Sequence, residues 1–170
     1  MSGTIFVTVG TTLFEALIQA VSTDDALQGM VENGYSSLVI QYGKGAKPPI
    51  LSSPSLNVEV YAFKPNLTSD MKAADLIISH AGAGTVMEVL RLKKRAAVVI
   101  NTMLMDNHQT ELADAMGERH HILVVDNPSK LCDPTMWKSF ETFRPLPYTG
   151  GNDYDFPRLL DAFMGVTKET

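Results

Sequence analysis

The chain has 170 residues, 45% of them apolar and 19% charged, with 14 Lys and Arg against 19 Asp and Glu and a net charge of −5. That length fits one core of ordinary size and leaves no room for a two-domain enzyme. The acidic balance, with no block of Lys or Arg, excludes nucleic acid or an anionic membrane as the main ligand, because both are held by clustered cations.

In chain order, Ile5 to Val9 is a β-branched run closed by Gly10, and a helical pattern follows at once through Phe14, Leu17, Ile18 and Val21. Ser37 to Tyr42 reads as a second strand, closed by a Gly, Lys and Pro loop from Gly43 to Pro49, and Asn57 to Phe63 alternates as a third. A short helix is expected over Leu67 to Ala74. Leu76 to Ser79 is a buried strand that stops at His80-Ala81-Gly82-Ala83-Gly84, and Thr85 to Lys93 carries helical spacing through Val86, Val89 and Leu90. Another apolar strand, Ala96 to Ile100, leads through a loop, Asn101 to Asn107, into a helix from about His108 to Arg119. Ile122 to Val125 is the last strand, and Pro128 to Phe143 reads as mostly helix.

Short apolar strands alternating with amphipathic helices predict an α/β fold, a Rossmann-like doubly wound parallel sheet with helices on both faces. The expected organisation is one domain over residues 1–143, a Pro- and Gly-containing linker over 144–154, and an amphipathic helix over 155–164. In that helix Phe156, Leu159, Leu160 and Phe163 recur at helical spacing, either to pack back on the domain or to dock on a partner.

Cys132 is the only cysteine, which excludes an internal disulfide and a Cys-rich zinc site and fits a reducing compartment. The first ten residues lack a secretory pattern, and the longest apolar runs fall far short of the ~20 residues of a membrane span. A cytoplasmic domain is expected, so the sequon Asn66-Leu67-Thr68 reads as a chance match, and Gly3 stands one place too far for myristoylation.

Ligands of open parallel sheets bind outside the carboxyl ends of the strands. Three loops end there. Gly10-Thr11-Thr12 offers close backbone approach and two hydroxyls beside a helix start, features that a plain helix cap shares. His80 to Thr85 places two glycines between a buried strand and a helix, where amide N–H groups can hold a phosphate without any basic patch. Glu88, one turn into that helix, is placed to accept two ribose hydroxyls or to serve as a surface glutamate near the dipole; His80 is a ligand or a strand-end cap. The third loop, with Met105, Asp106, Asn107, His108 and Gln109, holds more hydrogen-bonding groups than a helix cap needs and suits a polyhydroxyl ligand. His108 is also a candidate for a general base, although the sequence locates no partner for it.

Other chemistries fail on detail. The first turn is not G-x-G-x-x-G, and the second strand ends in Gln41 and Tyr42 in place of the acidic residue that would hold an NAD ribose. Walker A and G-x-S-x-G motifs are absent, and the adjacent His120 and His121 cannot share a helix face as metal ligands.

Three segments together, Phe6-Val7-Thr8-Val9-Gly10-Thr11-Thr12, Ile78-Ser79-His80-Ala81-Gly82-Ala83-Gly84-Thr85 with Glu88, and Met105-Asp106-Asn107-His108-Gln109, closely resemble glycosyltransferase family 28. The resemblance runs from about Thr4 to Met116. It is to the cytosolic subunits of the two-subunit UDP-N-acetylglucosamine transferase of dolichol-linked oligosaccharide assembly, and to the C-terminal half of the bacterial lipid II glycosyltransferase.

The resemblance implies one half of a GT-B transferase that binds UDP-GlcNAc and uses no metal or other cofactor. A membrane-anchored partner at the cytosolic face of the endoplasmic reticulum would supply the acceptor side, and the general base is expected on that partner or on a residue at the junction. The implied reaction adds a second GlcNAc, β1,4-linked with inversion, to the lipid-linked acceptor GlcNAc-diphosphodolichol. By the family's pattern Glu88 holds the ribose, Gly82, Ala83, Gly84 and Thr85 line the diphosphate, His108 and Gln109 face the sugar, and Thr11 and Thr12 lie in the first phosphate-side loop. His80 stands where some relatives have arginine. Two other readings are a non-enzymatic module that binds a nucleotide sugar or phospho-ligand, and an independent soluble glycosyltransferase with a small acceptor.

Overall fold

The computed structural model describes residues 2–49, 52–103 and 107–149, with only the backbone for 107–109. The helix expected over 155–164, the end of the linker, Met105 and Asp106 lie outside the described residues, as do the side chains of Asn107, His108 and Gln109.

Six strands form one parallel sheet: β1 (Gly3–Thr8), β2 (Tyr35–Gln41), β3 (Asn57–Tyr61), β4 (Leu76–His80), β5 (Ala96–Val99) and β6 (Leu123–Val125). Their spatial order is β3-β2-β1-β4-β5-β6, so the winding reverses between β1 and β4. Every residue of β4 and β5 is buried, which is why these strands read as continuous apolar runs without alternation.

Among the described residues six α-helices cover the sheet: α1 (Glu15–Val21), α2 (Asp24–Glu32), α3 (Thr68–Ala73), α4 (Ala83–Arg91), α5 (Asn107–Glu118) and α6 (Pro134–Thr142). Leu17, Met30, Trp137 and Phe140, from α1, α2 and α6, pack on the face of the sheet that carries Ile5, Val7 and Ile78. Met71, Val86, Leu90, Leu112 and Met116, from α3, α4 and α5, pack on the opposite face with Phe6 and Ile77. Each such apolar side chain, fully buried, contributes roughly 1.5–3 kcal/mol, so the two faces hold the strand ends, and therefore the loops, in fixed positions.

Several ends shift by one or two residues, α4 among them, which starts at Ala83 and not at Thr85, and three larger differences from the sequence reading stand out. Helix α1 does not follow Gly10 at once, because Thr12 turns back to donate its N–H to the Val9 carbonyl, and the helix begins only at Glu15. Helix α2 was not expected at all, although Thr23 caps it by accepting from the Ala26 N–H and Asp24 and Asp25 suit its first turn. The helical stretch from Pro128 is two pieces, a 3-10 turn over Pro128–Cys132 and then α6, divided where Asp133 takes extended backbone ahead of Pro134.

Residues 144–148 run under the α4 and α5 side. Leu146 donates its N–H to His120 at 2.8 Å, its carbonyl meets His121 Nδ1 at 2.8 Å, and the Tyr148 ring stands edge-on to His121. Among the described residues no helix is long and apolar enough to cross a membrane.

Candidate donor site at the switch point

The loops after β1 and β4 leave the sheet side by side, at the point where strand order reverses. Gly10 lies in the left-handed region at φ 60°, and a Cβ there would stand 2.9 Å from His80 Cε1. A Cβ on Gly82 would come within 2.2 Å of His80 Nε2. The imidazole is therefore a wedge beneath both loops, 8% exposed, and only glycine lets the two backbones close over it. Burial pushes the His80 imidazole below its ordinary value, with the Thr8 backbone opposing in part, so the ring is neutral at pH 7. Among the described residues its Nδ1 makes no well-formed hydrogen bond.

The loop after β1 is largely engaged with itself. Thr12 Oγ1 donates to the Val9 carbonyl at 2.8 Å, and the Gly10 N–H meets Thr8 Oγ1 at 3.1 Å and Gln41 Oε1 at 3.0 Å. Thr11 is exposed at the tip. Of the two hydroxyls read as anion donors, Thr12 already has an acceptor, and neither adjoins the start of α1.

The loop after β4 is the reverse. Gly82 is the N-cap of α4 and contributes no side-chain cap, and the first backbone bond inside the helix runs from the Val86 N–H to the Gly82 carbonyl. The N–H groups of Ala83, Gly84 and Thr85 thus lie ahead of the helical ladder, at the positive end of the dipole. Gly84 is exposed, and a Cβ built on it would meet nothing within 4 Å. Packing within the described chain therefore does not require a glycine there. Among the described residues the missing side chain leaves open space at the first turn of α4, beside its leading N–H donors, which suits close approach of a phosphate.

Glu88, one turn further on, is half-buried, and its Oε1 accepts from Thr68 Oγ1, at the start of α3, at 2.5 Å. The hydroxyl fixes one carboxylate oxygen and leaves the other to accept from a ligand. Asn107, His108 and Gln109 open α5 behind the loop that follows β5, so the backbone places this segment at the same carboxyl end of the sheet. Sequence reasoning passed over two residues that shape the site. In the sequence Thr68 reads only as part of a sequon and Gln41 only as the place of a missing acid; for Gln41 the available signal is a polar residue ending a buried strand. Among the described residues no group of three or more His, Cys, Asp or Glu is placed to hold a metal.

A family model described as the glycosyltransferase family 28 C-terminal domain matches residues 4–133. The chain belongs to this family. It is similar to the human UDP-N-acetylglucosamine transferase subunit ALG13, with 46% identity over 119 residues, which is 69% of this chain but 10% of the human protein, so the chain spans about a tenth of that relative's length. A solution NMR structure of ALG13 superposes with a TM-score of 0.68 and 25% identity, over 97% of this chain and 96% of that one. The crystal structure of Acinetobacter baumannii MurG superposes with a TM-score of 0.62 and 20% identity over 95% of this chain and 50% of that one, a likeness of fold. The sheet described above is thus one half of a two-domain glycosyltransferase architecture.

Proposed function

We propose that this chain is the UDP-GlcNAc-binding subunit of a heteromeric N-acetylglucosaminyltransferase that adds the second GlcNAc, β1,4-linked, to GlcNAc-diphosphodolichol. The observation that carries the reading is the uncapped start of α4 beneath the open space at Gly84, set at the switch point of the sheet. Membership of the transferase family supports it.

In this reading the diphosphate lies against the N–H groups of Ala83, Gly84 and Thr85, and the ribose hydroxyls donate to the carboxylate oxygen of Glu88 that Thr68 leaves free. The sugar extends toward Asn107, His108 and Gln109. As the bond from the anomeric carbon to the UDP oxygen breaks, charge grows on the diphosphate, and preset N–H donors at a helix start stabilise that charge without reorganisation. This suits an acidic chain, since fixed dipoles do the work of a basic patch.

Inversion needs a base to take the proton of the acceptor hydroxyl. Here that base, and the membrane anchor that brings the chain to the cytosolic face of the endoplasmic reticulum, belong to a partner subunit that closes the cleft. Leu13, Phe63 and Met103, exposed at 56%, 53% and 84% on the loops after β1, β3 and β5, give that edge of the sheet an apolar rim suited to such a contact. The test is transfer from UDP-GlcNAc to a soluble diphosphate-linked GlcNAc acceptor, assayed with the chain alone and with a candidate membrane partner. Turnover is expected only in the combined sample. Full turnover by the chain alone defeats the split-site assignment, and binding of UDP-GlcNAc without turnover alongside any partner favours a non-enzymatic nucleotide-sugar module.

A further inference from the structure

We propose that Gln41 is a positioning residue of the donor site, one that holds the loop after β1 in its bound shape before any ligand arrives. The proposal rests on the donor-site reading above.

Gln41 ends β2 and is 1% exposed. Its Oε1 accepts from Thr8 Oγ1 at 2.5 Å, from the Val9 N–H at 3.2 Å and from the Gly10 N–H at 3.0 Å. Its Nε2 donates to the Gly10 carbonyl at 2.7 Å and to the Ala62 carbonyl at 2.8 Å. One side chain therefore binds Gly10 through both its N–H and its C=O, and fixes the left-handed turn from which Thr11 and Thr12 project. Through Ala62 the same amide joins this loop to the one after β3, which leads into α3 and to Thr68, the partner of Glu88. The direct grip is on Gly10; Glu88 is held separately, by Thr68.

Only a carboxamide meets these demands. Two carbonyls facing Nε2 require a donor, and three donors facing Oε1 require an acceptor. A carboxylate would set an anionic oxygen against the Gly10 and Ala62 carbonyls, and an apolar side chain would leave Gly10 held by Thr8 alone. Thr8 stands beside Gln41 in the strand register and next to Ser79 on β4, so the network lies directly under the switch point. At the end of the second strand, where dinucleotide-binding sheets place an acidic residue that touches the ligand, this chain has a side chain that acts on the ligand through the loop.

The experiment measures affinity of the full chain for UDP-GlcNAc, UDP and uridine by titration, in wild type, Gln41→Met and Thr8→Val, together with amide hydrogen exchange at Gly10. If Gln41 holds the loop after β1 as the wall that closes the diphosphate against the start of α4, Gln41→Met weakens UDP and UDP-GlcNAc by about tenfold or more, as loss of buried hydrogen bonds implies, and leaves uridine within about twofold. Exchange at Gly10 accelerates in the same variant. Thr8→Val, which keeps the shape of the strand residue, shows the same pattern to a smaller degree. Equal weakening of all three ligands, or unchanged UDP affinity in both variants, overturns the assignment. A wild-type chain that binds none of the three overturns the donor-site reading itself, and this assignment with it.

Discussion

The loops after β1 and β4 are neighbours at the same end of the same sheet, and both contain glycines, yet they differ in what their backbone groups do. In the first, Gly10 and Thr12 have internal partners, and Gln41 locks the turn from below. In the second, the N–H groups at the start of α4 stand ahead of the ladder with no side-chain cap. The first loop is a wall and the second is a socket. A glycine-rich stretch is therefore no site until the hydrogen bonds of its backbone have been accounted for.

The sharpest way to break the distinction lies within the second loop. Gly82→Ala would drive a methyl group to 2.2 Å from His80 Nε2. Displacing a buried ring this way costs about 1–3 kcal/mol of stability, and because the ring underlies both loops, UDP-GlcNAc binding should be abolished. Thermal melts and a nucleotide titration on the same sample check both parts; a stable variant with normal affinity would mean that the wedge does not shape the socket.

Next in size is Glu88→Ala. Loss of the hydrogen bonds to ribose should weaken uridine-nucleotide binding by roughly 1–3 kcal/mol while the melting temperature barely moves, because Glu88 is half-buried and, among the described residues, makes one bond, to Thr68. Unchanged affinity would remove Glu88 from the socket.

Gly84→Ala separates the two glycines of the second loop. No internal clash opposes it, and alanine is the better helix former, so stability should hold or rise by up to about 1 kcal/mol. Affinity for UDP should nonetheless fall several-fold, since the methyl fills the space beside the leading N–H donors. Calorimetry of binding and unfolding on one preparation decides it, and unchanged affinity would place the diphosphate elsewhere.

The smallest effect is on pH dependence. His80 is held neutral by burial, so its folded value lies below the unfolded value near 6.5. Below about pH 6.5 the unfolded state then binds more protons than the native state, and stability falls as pH falls. The contribution is fully present above that value and is lost progressively on acidification through the lowered folded one. His80→Gln should flatten the melting-temperature profile between about pH 7 and 5; an unchanged slope would show that the ring is not a neutral wedge.

Most of the sheet was legible because its signal is local. Buried parallel strands such as Leu76–His80 and Ala96–Val99 are apolar throughout, and turn residues mark their ends. Helix α2 escaped notice since its cap, Thr23, follows α1 after a single residue, Ser22, and the two helical patterns run together. The three loops were likewise visible as motifs at strand ends, and so was Glu88 at its helical spacing.

The division of labour among those residues was not legible. Gln41 and Gly10 are far apart in sequence and adjacent only through the β1–β2 register, and Thr68 meets Glu88 only because α3 and α4 share a face of the sheet. The amino-acid sequence by itself determined the alternating α/β order, the acidic charge with no basic block, and the glycines at the strand ends. Only the tertiary structure decided which glycine is required by packing and which leaves room, because that depends on what lies within a few ångströms of an absent side chain. His80 lies there for Gly82, and open space for Gly84.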